Sequence, residues 1–313
     1  MMHTRFTDLF GLEHPVMLAP MAGRTGGALA AAVSSAGGFG SFGGVTFEGP
    51  GWVTTQAELV RATTDRPFGI GFITPFLPMM EPLWEAALEA QPDVIALSFS
   101  DPRPWLGRAK DAGARVMCQV QTLSDADQAV EVGADLLVVQ GNEAGGHTGT
   151  MGLLPFLAAV VARHPDVPVL AAGGIGDGRT LAAVLLTGAD GAWLGTAFLA
   201  TQECQIDEAY KGAVVASDGG DTVFTRAYDI ASGLPWPSGI GERVRRDSFT
   251  DEWHEREQEL RVQPVKPAGE AVLYGQSAAF VDAVLPAADV VRGVSAEAER
   301  ILRQRPRELT TSR

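Results

Sequence analysis

Cysteine is scarce in this chain of 313 residues: Cys118 and Cys204 are the two present, and no CxxC pair exists. A disulfide framework or a cysteine-built zinc site is therefore not supported. Positive charge is also short, with 24 Lys and Arg against 38 Asp and Glu and a net charge of −14. That balance argues against a nucleic-acid backbone or an anionic membrane surface as partner, because both reward clustered cations. Long apolar runs are missing too. The longest uncharged stretch, residues 25–47, holds AAAVSS and GGFGSFGG and is too glycine-broken to span a membrane. The opening MMHTRFTDLF lacks the apolar centre of a signal peptide, so a cytoplasmic, reducing setting is expected. No two histidines form an HExxH or i,i+4 pair, so no metal site is expected, and neither GxSxG nor GxxxxGK[ST] occurs.

What the chain does have is apolar content, 46%, with 37 glycines and 19 prolines. Eight short apolar runs read as strands: Val16–Ala19, Phe39–Phe42, Phe68–Phe72, Val94–Ser98, Arg115–Val120, Leu136–Gln140, Val169–Ala171 and Ala192–Leu194. They are nearly continuous in hydrophobicity rather than alternating, the pattern of parallel strands buried on both faces. Amphipathic helical stretches separate them, from Ala28–Ser35 to Arg179–Leu186, with an eighth near Ile206–Ala216. A weak repeat recurs at AGG-FGSF, AGA-RVMCQV, VGA-DLLVVQ and TGA-DGAWLG, where a helix ends in glycine and a strand follows at once. The expected fold is a (β/α)8 TIM barrel; an open doubly wound sheet is the rival, and the strand count favours the barrel.

After about residue 217 the pattern changes to glycine-rich loops and one exposed helix over Thr250–Arg261. We expect residues 1–216 with 269–313 to form the barrel and residues 217–268 to form a small, mainly helical, mobile cover. Tyr274–Val284 and Ser295–Gln304 read as two closing helices.

In such barrels the chemistry sits at the carboxyl ends of the strands, and the unusual residues fall there. The first strand runs into APMAG, the sixth into GNEAGGHTG, the seventh into GGIG and the eighth into Gly195-Thr196. Bare backbone N–H groups at Gly173-Gly174 and Gly195-Thr196, with a helix starting at Gly178, form a candidate phosphate cradle. His147, between glycines in a loop after a strand, is the candidate general base or hydrogen-bond donor. His3, His14, His164 and His254 are weaker candidates. Glu143 either orients its loop or is solvated; Trp236 and Tyr274 either reach over the pocket or simply pack. Trp193 and Cys118 read as core, and Cys204 has no activating base beside it.

Together, QGNEAGGHTG, AAGGIGDG and LGT, with APMAG, FGIGF, TRAYDIASGLPWP and YGQSAAFVDAVLPAADVV, resemble the nitronate monooxygenases (2-nitropropane dioxygenases) over nearly the whole chain. The resemblance implies an FMN-binding barrel with a small substrate subdomain. It also implies oxidation of alkyl nitronates, and of nitroalkanes after loss of their α-proton, by O2 to a carbonyl compound and nitrite. On this basis Ala19, Pro20 and Met21 run along the flavin ring and Gln140 and Gly145 hold the ring and ribityl groups. Gly174, Gly195 and Thr196 hold the phosphate, Gly71, Gly146, Gly173 and Leu194 complete the cofactor set, and His147 is catalytic. One departure stands out: many members carry asparagine where this chain has Gly71. The alternatives kept open are an NAD(P)H-using enoyl-acyl-carrier-protein reductase or quinone reductase on the same FMN barrel. The expected partners are a small nitronate or nitro compound and O2, and the oligomeric state is left open between monomer and homodimer.

Overall fold

The structure is a computed structural model and describes residues 2–263 and 265–310. Met1, Pro264 and residues 311–313, which fall within the expected divisions of the chain, lie outside the described residues.

The strands are numbered along the chain: β1 Val16–Leu18, β2 Gly40–Gly43, β3 Phe68–Ile73, β4 Val94–Ser98, β5 Arg115–Val120, β6 Leu136–Gln140, β7 Gly146–Thr148, β8 Val169–Ala172, β9 Gly191–Leu194, β10 Thr222–Thr225 and β11 Gly241–Arg245. Eight of them make one parallel sheet in the order β1-β9-β8-β6-β5-β4-β3-β2. Its two edges meet at a parallel bridge between Met17 and Phe39, where the Phe39 N–H donates to the Val16 carbonyl and the Leu18 N–H to the Phe39 carbonyl, both at 2.9 Å. The sheet is thereby curled into the (β/α)8 barrel, with helices between successive strands.

Alternation along each strand sorts the side chains into two layers. Met17, Phe39, Val94, Ala96, Met117, Leu136, Val138, Leu170, Ala172 and Trp193 fill the interior. Their neighbours Ile95, Leu97, Val116, Cys118, Leu137, Val139, Val169, Ala171 and Leu194 pack outward against the helices. Both layers are apolar, which is why the runs carry no alternation in sequence. The N-terminal helix Arg5–Phe10 plugs the end where the strands begin, with Phe6 and Phe10 against Phe39 and Arg5 paired to Asp190 just before β9. The opposite end, where the strands finish, is left open to hold a site. Glycines 37, 113, 133 and 188 close the four repeat units at φ between 88° and 106°, where a side chain would be strained.

Three elements differ from the sequence expectation. The segment 217–268, expected to be mainly helical, carries the three short helices Ala227–Ser232, Ser248–Trp253 and Glu257–Val262 together with β10 and β11, which pair antiparallel with each other, and β11 pairs antiparallel with β7. The expected single helix Thr250–Arg261 is two short ones, because Trp253 and Leu260 both turn in to pack with Ala227. Of the two closing helices, the first is only a 3-10 turn, Gln276–Phe280, and the second extends from Ala287 to Thr310 and packs on the helices Gly178–Leu186 and Gly27–Ser35.

Candidate active site

A cavity of about 290 Å³ opens at the carboxyl end of the barrel. Ala19, Pro20, Met21, Gly71, Gln140, Gly145, Gly146, His147, Gly173, Gly174, Gly195 and Thr196 all line it. Of the residues expected to hold the cofactor or act in catalysis only Leu194 stands apart: alternation turns its side chain into the helix layer, and it contributes its carbonyl, which accepts the Ala19 N–H at 2.9 Å. Loops remote in sequence thus converge because each follows a strand of one barrel.

The glycines make room. A Cβ on Gly71 would lie 2.2 Å from Cγ of Pro20, so glycine here is dictated by the proline ring that forms the cavity floor. A Cβ on Gly145 would meet the Tyr274 carbonyl carbon at 2.3 Å, so the β6–β7 loop can be crossed by the tail only as glycine. Gly173 and Gly174 adopt φ of 98° and 69°. The N–H groups of Gly173, Gly174, Ile175, Gly195 and Thr196 meet no acceptor among the described residues, although Ile175 and Thr196 are buried. Five unmatched donors on adjacent loops make a cradle that could hold an anion. The helix Gly178–Leu186, expected to lend its N-terminus, does not: Asp177 caps Thr180 N at 2.8 Å, and Gly178 N donates to Glu297 at 3.0 Å. The cradle therefore rests on the loop amides alone.

Polar side chains fix the β6–β7 loop. Gln140, 6% exposed, accepts from Gln121 Nε2 and donates to the His147 carbonyl, both at 3.0 Å. Glu143 accepts the Leu153 N–H at 3.1 Å with both oxygens, so it orients the loop. Arg243 on β11 is buried and donates to the Asn142 carbonyl at 2.7 Å and to Thr222 Oγ1 at 3.1 Å, joining loop and covering sheet. Burial lowers its pKa from the usual arginine value.

His147 lies on β7 with its ring stacked on Trp236, centroids 3.5 Å apart and planes 14° from parallel. Phe99, at φ 76° after β4, meets both rings edge-on. A non-glycine residue in that region is strained, and such strain gathers at functional sites. Trp236 therefore does reach the cavity. Tyr274 is fully buried, donating to Asp221 at 2.6 Å, with burial pushing its phenol up to about 12. The Cys118 thiol is likewise pushed up to about 12 by burial and is inert core.

The residues that sequence reasoning missed are Asp229 and Glu242. Nε2 of His147 lies 3.1 Å from both Asp229 oxygens. Glu242 faces His147 across the β7–β11 register. The three place one donor atom each within 4.8 Å of one another, the one such group of metal-capable side chains among the described residues. Nε2 is already engaged by Asp229, so the geometry is a hydrogen-bonded His147–Asp229 pair with Glu242 beside it and not an open ligand set. Burial, reinforced by the Asp229 charge, pushes the Glu242 carboxyl up to about 8. No local motif could have revealed the pair, since Asp229 is 82 residues from His147.

The mouth of this barrel joins unmatched loop amides to an apolar slot lined by Pro20, Trp193 and Trp236, an arrangement that a phosphorylated planar cofactor would fit. A family profile for nitronate monooxygenase matches residues 3–235, and the chain belongs to that family of flavin-dependent oxidoreductases. A nitronate monooxygenase of Paraburkholderia phytofirmans is 33% identical over 288 residues, covering 77% of this chain and 76% of that protein. A (3aS,4S,5R,7aS)-5-hydroxy-7a-methyl-1-oxo-octahydro-1H-indene-4-carboxyl-CoA dehydrogenase of Mycobacterium tuberculosis is 34% identical over 243 residues, covering 75% of this chain and 65% of that protein. Among solved structures, FabK from Thermotoga maritima superposes with a TM-score of 0.86 at 30% identity, covering 98% of this chain and 99% of the other. No helix among the described residues is long and apolar enough to cross a membrane.

Proposed function

We propose that the protein oxidises small alkyl nitronates with O2 to a carbonyl compound and nitrite, using FMN. The observation that carries this reading is His147, oriented at one side of a slot whose far end is the amide cradle. When bound, the flavin supplies the electron transfer to oxygen that no side chain can perform.

The roles of the chain's own residues follow from their positions. The N–H groups of Gly173, Gly174, Gly195 and Thr196 would hold a phosphate, and the backbone of Ala19–Met21 would border the ring. A cofactor with one phosphate matches one cradle, which favours FMN over FAD. His147 takes the α-proton of a nitroalkane or donates to the oxygens of a nitronate. Trp236 and Phe99 close the slot against water, which strengthens every polar contact inside. The protein carries −14 overall, so long-range steering does not help an anionic substrate; Arg24, the only arginine or lysine of the lining, offers a local positive charge. Residues 217–268 serve in this reading as the cover that brings Trp236 and Asp229 to the barrel.

The likeness to FabK favours one second reading, NAD(P)H-driven reduction of an enoyl thioester. Oxygen uptake and nitrite release with propyl nitronates, set against NADH oxidation with an enoyl thioester, separate the two. Mass spectrometry of the released cofactor tests FMN directly, and finding FAD would refute that part.

A further inference from the structure

Two buried carboxyl groups converge on His147, and only one of them touches it. Asp229, 5% exposed, offers both oxygens to Nε2 at 3.1 Å. Glu242, 3% exposed, stands opposite on β11, with Oε1 lacking any partner. Resting on the reading of His147 as the group that takes the α-proton, we propose that Asp229 is a positioning residue that holds His147 as its Nε2–H tautomer, leaving Nδ1 as the basic nitrogen of the cavity, while Glu242 accompanies the pair as a neutral carboxylic acid.

The geometry leaves little choice. An ionised carboxylate can only accept, so the two equal distances describe one N–H shared between two oxygens. A neutral imidazole has a single N–H. Placing it on Nδ1 would set the Nε2 lone pair against both oxygens in a buried site, where such repulsion is poorly screened. Two adjacent buried carboxylates do not both ionise cheaply, and Asp229, which has the imidazole as partner, keeps the charge. Glu242 takes the proton instead, its carboxyl held up chiefly by burial. In the reaction the substrate α-C–H bond breaks, its electron pair stays with the nitronate, and the proton passes to Nδ1. The imidazolium so formed is paired with Asp229 through the same hydrogen bond.

Glu242 then adds a titration of its own to the pH dependence of the cluster. Asp229 and Tyr228 face it from the helix Ala227–Ser232, His147 from β7 and Arg24 from the loop after β1. Of these, Arg24 alone favours its ionised form by charge. As pH rises through about 8, Glu242 loses its proton and a second negative charge enters the cluster.

The test is 15N NMR of the histidine-labelled holoprotein, with the His147 signals assigned by their loss in His147→Gln. The expected result is a protonated Nε2 and an unprotonated Nδ1; a protonated Nδ1 with bare Nε2 overturns the proposal. Asp229→Asn should mix the tautomers and slow nitroalkane turnover roughly 10²–10⁴-fold through kcat. Pre-formed nitronates, which need no proton removed, should slow far less. Equal loss on both substrates with an unchanged tautomer would make Asp229 merely structural. Glu242→Gln should keep the Nε2–H tautomer and abolish the inflection near pH 8 in the nitroalkane rate; an inflection that persists removes Glu242 from the scheme. Failure of the wild-type protein to consume oxygen with nitronates would refute the functional reading alone, because the tautomer is read without turnover.

Discussion

His147 and the glycines around the cavity were legible because a glycine-flanked histidine after an apolar run has few structural uses. Gly71 shows how a departure from a family pattern can have a local cause. The ring of Pro20 occupies the space a side chain would need. Gly71→Asn should lower flavin occupancy and cost about 1–3 kcal/mol of stability through overpacking, checked by absorbance and denaturant unfolding. At Gly174 the backbone is left-handed, so any side chain costs roughly 1–2 kcal/mol. Gly174→Ala isolates that strain; Gly174→Asp should weaken FMN well beyond it, because the new carboxylate faces the phosphate in a confined loop. Equal FMN affinity in the two variants would move the phosphate elsewhere. Asp229 and Glu242 were not legible, since the pairing of β11 with β7 brings Glu242 opposite His147 and the helix Ala227–Ser232 brings Asp229 to it, neither through a local motif. Glu242 also leaves a mark on stability. Its carboxyl rises from 4.5 to about 8 on folding, so between these values the folded state binds more protons and stability falls as pH rises. Glu242→Gln removes this penalty, and its thermal midpoint should fall less than that of the wild type between about pH 5 and about pH 9.

At the scale of elements, the eight barrel strands stood out as apolar runs because both of their faces are buried. The antiparallel trio did not. GHT is three residues long, TVFT is four, and neither alternates over enough length to signal a strand. In the tail, the helix expected over Ser295–Gln304 was legible but not in its bounds, and the one expected over Tyr274–Val284 is only a 3-10 turn. The run from Tyr274 is pinned by Gly275 N on Thr196 and Gln276 N on the Glu143 carbonyl, both at 3.0 Å, which leaves it room only for a short turn. The covering segment depends on Arg243 for its grip on the β6–β7 loop. Arg243→Met should leave the Asn142 carbonyl unmatched at about 1–3 kcal/mol. Limited proteolysis should then cut within residues 217–268 sooner than in the wild type while the barrel persists. Simultaneous loss of barrel and cover would show that they unfold as one unit.

For the whole molecule, fold and site meet in one arrangement: a barrel plugged at its N-terminal end, an amide cradle at its open end, and a small cover that carries Trp236 and Asp229 over the histidine. The net charge of −14 argues against nucleic-acid and anionic membrane surfaces as partners, and Arg24, the one arginine or lysine lining the cavity, suits a small anion. The most direct measurement is oxygen consumption by the purified, flavin-loaded protein, with nitrite followed in parallel, on propyl-1- and propyl-2-nitronate without NAD(P)H. Nitronate oxidation predicts oxygen uptake and nitrite release that rise and saturate together with nitronate concentration. No uptake with either nitronate, in a protein that instead oxidises NADH in the presence of an enoyl thioester or a quinone, would contradict it.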